Sequence, residues 1–89
     1  MNKHTAINEK TGQVFTRNSA TRVYAYAIMA DIYFTDGRVE ADSPSATWTS
    51  RLDLAQGIKA RLERDYIAKD WDATVERVEV RILKAEVTA

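Results

Sequence analysis

Between Val23 and Phe34 the bulky side chains fall on the even positions (Tyr24, Tyr26, Ile28, Ile32, Phe34), while Ala25, Ala27 and Asp31 take odd ones. A repeat of two is that of an extended strand, whose successive side chains point to opposite faces, so the run predicts one long strand with its large face inward. Asp36 and Gly37 follow at once. A two-residue turn with both central residues at positive φ would set Phe34 opposite Val39 and Ile32 opposite Ala41. A chain committed at its centre to an antiparallel hairpin must build a sheet around it.

The flanking segments extend that sheet. Thr5 to Ile7 and Gln13 to Thr16 bracket a short loop ending in Gly12, which predicts a first hairpin with the glycine in the left-handed region. Pro44 breaks the chain after the central hairpin, and Ala46 to Thr49 resumes the strand with the proline at an edge or bulge, where its missing donor does no harm. Ser50 and Asp53 resemble a capping box and precede Leu54, Ala55, Ile58, Leu62 and Tyr66, which predicts a helix over about 51–67. Gly57 inside that helix costs roughly 1 kcal/mol relative to alanine, which suits a close approach of helix and sheet. In residues 75–85, Val78, Val80 and Ile82 alternate with Arg77, Glu79 and Arg81, predicting a strand with one buried face and one wet face.

One helix and single-sided strands have one economical packing. The expected class is α+β: an antiparallel sheet of four or five strands with one helix across one face, in the order strands, helix, strand. At 89 residues without internal repeat or linker, the chain reads as a single domain spanning 1–89. It has no cysteine, so its 45% hydrophobic residues must hold the fold without disulfides.

Composition excludes several classes of function. Thirteen basic and thirteen acidic residues cancel, which argues against a general binder of polyanions. The charge is nevertheless uneven: residues 1–30 carry Lys3, Lys10, Arg17 and Arg22 against Glu9, and residues 31–42 carry four acids against Arg38. No long apolar run and no secretory leader pattern is present, so the expectation is a cytoplasmic protein with no membrane partner. His4, the single histidine, sits near a terminus where fraying is expected, and reads as solvated; it cannot supply a metal site or a catalytic triad by itself. The acid pairs Asp70/Asp72 and Glu76/Glu79 read as solvating charge, and three glycines are too few for a phosphate-cradling loop. The chain is therefore expected to have no catalytic residues, no metal and no cofactor.

Two stretches carry a resemblance. Thr16 to Ala27, with Thr16, Arg17, Ser19, Arg22 and Tyr24, and Trp48 to Ala55, with Trp48, Ser50, Arg51, Asp53, Leu54 and Ala55, followed by the closing strand Val78-Glu79-Val80, resemble a pattern of small uncharacterised proteins of bacteriophages and other mobile elements. Proteins of this size and architecture include anti-CRISPR proteins. The resemblance implies a non-enzymatic module that binds and blocks a host protein complex in the host cytoplasm, by steric obstruction in view of the neutral charge. The expected partner surface is Arg17, Arg22, Trp48 and Arg51, since Arg and Trp at the ends of elements are enriched in interface hot spots. A second reading, ranked below it, is a small nucleic-acid-binding domain using Arg17, Arg22 and nearby aromatics, and a third is an assembly homodimer formed by pairing an exposed sheet edge.

Overall fold

The computed structural model describes residues 1–41, 46–68 and 73–88. Along the chain run β1 (Asn2–Ile7), β2 (Val14–Ser19), β3 (Tyr26–Phe34), β4 (Val39–Ala41), β5 (Thr47–Thr49), α1 (Leu52–Ala68), β6 (Val75–Lys84) and β7 (Glu86–Thr88). The protein is α+β, with its helix packed across one face of an antiparallel sheet. The loop expected around Pro44 and the acid pair Asp70/Asp72 lie outside the described residues.

Strand β3 is the spine of the larger sheet. Strand β6 runs antiparallel along one side of it, from Tyr26↔Lys84 to Phe34↔Val75, and β4 and β5 share the other side. Strands β4 and β5 lie along the same side of β3 in different registers, with Asp31 opposite Ala41 and Ile28 opposite Thr47. Strands β6 and β7 are one path, separated only by Ala85, whose N–H donates to the Ala25 carbonyl at 2.8 Å. Past that point β7 leaves the larger sheet and pairs with β1, completing a smaller sheet of order β2-β1-β7.

The even face of β3 behaves as its periodicity predicts. Ile28 and Ala30 meet Val80 of β6 and the stripe Ala55, Ile58, Leu62 and Tyr66 of α1, whose spacing of three and four residues puts all of them on one helix face. Tyr26, Val78 and Ile82 pack around this core. The opposite face is not wet. Ala27, Met29, Asp31 and Tyr33 are buried there beneath the smaller sheet, which contributes His4, Ala6, Asn8 and Phe15. The reason is the first hairpin, which folds over that face: the Asn8 side chain donates to Asp31 Oδ2 at 2.8 Å, and His4 lies edge-on to Trp48. Of the charged residues expected on a wet face, only Arg77 is well exposed; Glu79 and Arg81 are partly covered. The molecule thus has three layers and two cores.

Both hairpins turn on a glycine, but only one as expected. In the first, the N–H groups of Thr11 and Gly12 donate to the Asn8 carbonyl and Gly12 takes φ 78°, the left-handed region predicted for it. In the second, Phe34 N–H bonds the Arg38 carbonyl across a three-residue loop, Gly37 N–H returns to the Phe34 carbonyl, and Gly37 alone has positive φ, at 93°. Asp36 keeps a negative φ, because its carboxylate accepts from the Arg38 backbone and guanidinium, at 2.9 and 2.8 Å. The two-residue turn would have needed both residues positive. The register therefore differs by one from expectation, with Tyr33 opposite Val39 and Asp31 opposite Ala41. A slip of one moves every side chain of β4 to the other face.

Gly57 is not a point of close approach either. A β-carbon there would meet nothing within 4 Å. The first helical hydrogen bond runs from Ala55 N–H to the Arg51 carbonyl at 3.1 Å, one residue later than a cap at Ser50 would place it.

Candidate binding surface

The crossover from β2 to β3 and the junction from β5 to α1 come together at one end of the molecule. A Ser19 Oγ to Arg22 N–H bond of 2.9 Å fixes the first, together with an Asn2 side-chain donation to the Arg22 carbonyl at 3.2 Å. The Thr49 carbonyl, accepting from Ala25 N–H at 3.0 Å, ties the second to it. Between them lies a groove of about 430 Å³ lined by Arg22, Val23, Tyr24, Trp48, Thr49, Ser50 and Leu54.

Beneath this groove sits His4, fully buried in β1 rather than frayed and solvated. Its Nε2 accepts from Tyr24 N–H at 2.8 Å, which leaves Nδ1 to donate to the Arg17 carbonyl at 3.0 Å. The ring therefore carries its proton on Nδ1 and is neutral in this arrangement. It stands edge-on to Tyr24 at 5.1 Å and to Trp48 at 6.1 Å between ring centroids. One imidazole thus positions both aromatic walls. Tyr24 was expected on the helix-facing side with Tyr26; it leaves that alternation because its backbone is drawn to His4 ahead of the strand's first residue.

Of the four residues expected at a partner surface, the structure brings three together. Arg22 and Trp48 line the groove, and the Arg17 guanidinium covers the Tyr24 ring at 5.0 Å. Arg51 does not line it: its guanidinium is clamped on Asp53, with Nε to Oδ1 at 3.0 Å and Nη2 to Oδ2 at 2.5 Å. The sequence reading missed Val23 and Leu54 as surface residues, yet they are 55% and 49% exposed, with Leu52 nearby in the chain at 47%. A signal was available. Leu52 and Leu54 fall off the stripe Ala55, Ile58, Leu62, Tyr66, so a helix that buries the stripe must expose them.

A second cluster lies between the two sheets. Asp31, fully buried, accepts from Arg81 Nε and Asn8 Nδ2 at Oδ2, both at 2.8 Å, while its Oδ1 has no hydrogen-bond partner among the described residues. Arg81 also donates to the Tyr33 hydroxyl at 2.6 Å and to Glu79. The Asp31 hydrogen bond raises the Arg81 pKa above its ordinary value, against desolvation. The Tyr33 hydroxyl holds the Glu79 carboxyl below the usual range, aided by Arg77, Lys10 and Arg81. A general acid near neutral pH needs the opposite shift, so this cluster reads as a structural tie between layers. Among the described residues no group of three or more His, Cys, Asp or Glu is placed to hold a metal ion, and no helix is long and apolar enough to cross a membrane.

Compared with protein-family models, with curated proteins and with solved structures, the chain matches none. The functional reading rests on its own geometry.

Proposed function

We propose that the protein is a non-enzymatic binding module that seats an apolar, acid-rimmed segment of a partner protein in the groove between Arg22 and Leu54. The observation that carries this reading is the groove itself: exposed aliphatic side chains beside two half-buried aromatics, rimmed by Arg17 and Arg22. Anchors of this composition dominate binding energy at protein interfaces. The arginines complement carboxylates on a partner, and the aromatics, already held by His4, need little ordering on binding. In its narrower form, supported by the sequence resemblance alone, the partner is a host defence complex and the protein an obstructing inhibitor of phage or mobile-element origin acting in the host cytoplasm.

Nucleic acid is the weaker alternative. Base stacking needs an open ring face, and Arg17 already covers a face of Tyr24, while Tyr26 packs against the helix-facing core. The test is capture of partners on the tagged protein, with and without nuclease, for the parent and for Leu54→Glu and Arg22→Glu. A protein partner retained by the parent after nuclease and lost by both variants supports the groove. Equal retention by parent and variants removes it, and nuclease-sensitive retention moves the function to nucleic acid.

A further inference from the structure

We propose that His4 is a proton switch for the groove: a second proton on its ring drives the Tyr24 backbone off Nε2 and takes apart the wall that Val23 and Tyr24 form. The inference rests on the groove as the binding surface and adds its regulation.

His4 is fully buried, and it is the one histidine of the chain. Histidine is the ordinary side chain whose charge changes between about pH 5 and 8. Its two nitrogens have opposite duties here. Nδ1 faces the Arg17 carbonyl at 3.0 Å and must donate, whereas Nε2 faces the Tyr24 N–H at 2.8 Å and must accept. An imidazolium has two donors and no acceptor. Protonation therefore keeps the Arg17 bond and sets two N–H groups against each other at Tyr24, each without its partner.

The charges around the ring add to this conflict. On β2 the residue opposite His4 is Arg17, whose guanidinium stands over the Tyr24 ring at 5.0 Å. The crossover adds Arg22 and the Tyr24 phenol. On β7 the residue opposite is Val87, while Glu86 and Thr88 lie opposite Thr5 and Lys3 and share the outer face of the smaller sheet with them. Strand β5 brings Trp48 and no charge. Asp31 of β3 and Arg81 of β6 are bonded to each other beside Asn8, four residues on from His4. The amino terminus is on exposed Met1. The charges nearest the ring are thus cations, and none of these positions sets a carboxylate against it.

The movement is local because the chain is pinned on both sides of Tyr24. Ser19 Oγ accepts from Arg22 N–H at 2.9 Å, the Asn2 side chain donates to the Arg22 carbonyl at 3.2 Å, and Ala25 N–H donates to the Thr49 carbonyl at 3.0 Å. Between these pins the bond to His4 fixes Val23 and Tyr24. Without it the two residues leave their places in the groove, Tyr24 gives up its edge-on contact with the imidazole, and Arg17 loses the ring face it covers. The groove is accordingly assembled with His4 neutral and lost as pH falls.

The test needs no partner, since one histidine gives one ring signal. In 15N-labelled protein near neutral pH, long-range proton–nitrogen spectra should show the proton on Nδ1 and a scalar coupling across the hydrogen bond between His4 Nε2 and the Tyr24 nitrogen. Titration from about pH 8 to about pH 5 should abolish that coupling. The Val23 and Tyr24 amides and the Trp48 indole, assigned through Trp48→Phe, should shift at the midpoint of the ring itself, with Ala30 and Val80 unmoved and far-ultraviolet circular dichroism unchanged. His4→Gln, whose amide accepts from Tyr24 but does not titrate in this range, should hold the Val23 and Tyr24 signals constant. Should that variant fail to fold, coincidence of the midpoints in the parent decides. A ring that stays neutral to pH 5, a ring that titrates without moving those signals, a transition that survives in His4→Gln, or one that coincides with loss of the whole fold would each overturn the switch. Failure of partner capture by the groove would remove the binding reading and leave these signals as they are, so the two failures are distinct.

Discussion

Removing the carboxylate of Asp31 tests the tie between the two sheets. In Asp31→Ala the Nε of Arg81 and the Nδ2 of Asn8 both lose an acceptor at 2.8 Å. Breaking a buried ion pair by deleting one partner costs about 3–5 kcal/mol. Two features place this site at the lower end: the Arg81 side chain is 27% exposed and keeps Tyr33 and Glu79, and the deletion also removes the unpartnered Oδ1. The expected loss is about 3 kcal/mol, against a total of about 4–13 kcal/mol for a domain of this length. With a urea slope of about 1 kcal/mol/M, the unfolding midpoint should fall by about 3 M at unchanged slope. The companion variant Asp31→Leu with Arg81→Met strands no charge but leaves the buried Asn8 Nδ2 without its acceptor, so it should lose about 1–2 kcal/mol, less than the single variant. An Asp31→Ala loss below about 1 kcal/mol, or a double variant as unstable as the single one, would refute the account.

Leu62 packs against the helix-facing core while half-buried, so Leu62→Ala should cost about 2 kcal/mol, the low end for a core leucine, read from the urea midpoint. Gly57→Ala should stabilise by about 0.5–1 kcal/mol, since the added methyl meets nothing and the backbone is helical; a destabilised variant would show a contact the structure lacks. Glu79 has a depressed pKa in the folded state, so its contribution is present above the carboxylate range of the unfolded chain and is lost as pH falls through the folded value. Thermal stability should therefore drop on acidification below about pH 4.5, and Glu79→Gln should flatten that part of the profile.

The legible part of the fold was whatever repeats locally. The period of two in β3 and the stripe Ala55, Ile58, Leu62, Tyr66 each encode one buried face, and the helix lies on the strand face they predict. The hidden part was whatever depends on distant partners. Asp31, an acid at an odd position, signalled water on that face; its cation arrives from fifty residues away, and its amide from the first loop. His4 looked like a terminal, solvated residue because nothing nearby in sequence shows that Tyr24 and Trp48 will close over it. The candidate surface divides the same way. Arg17, Arg22 and Trp48 could be picked by type and place, whereas Arg51 was lost to Asp53, a neighbour two positions on whose clamp depends on side-chain geometry.

The bend at Ala85 has a consequence for synthesis. Residues 3–5 of β1 find their second set of partners in 86–88, roughly eighty positions later, so the smaller sheet stays incomplete until the chain has emerged through β7. During translation the first hairpin must wait, with the aromatic and polar side chains of its inner face uncovered, while β3 and α1 follow. Strand β1 is thus made well before the strand that closes it in, and the interval before β7 arrives is when the smaller sheet is most open to chaperones and proteases.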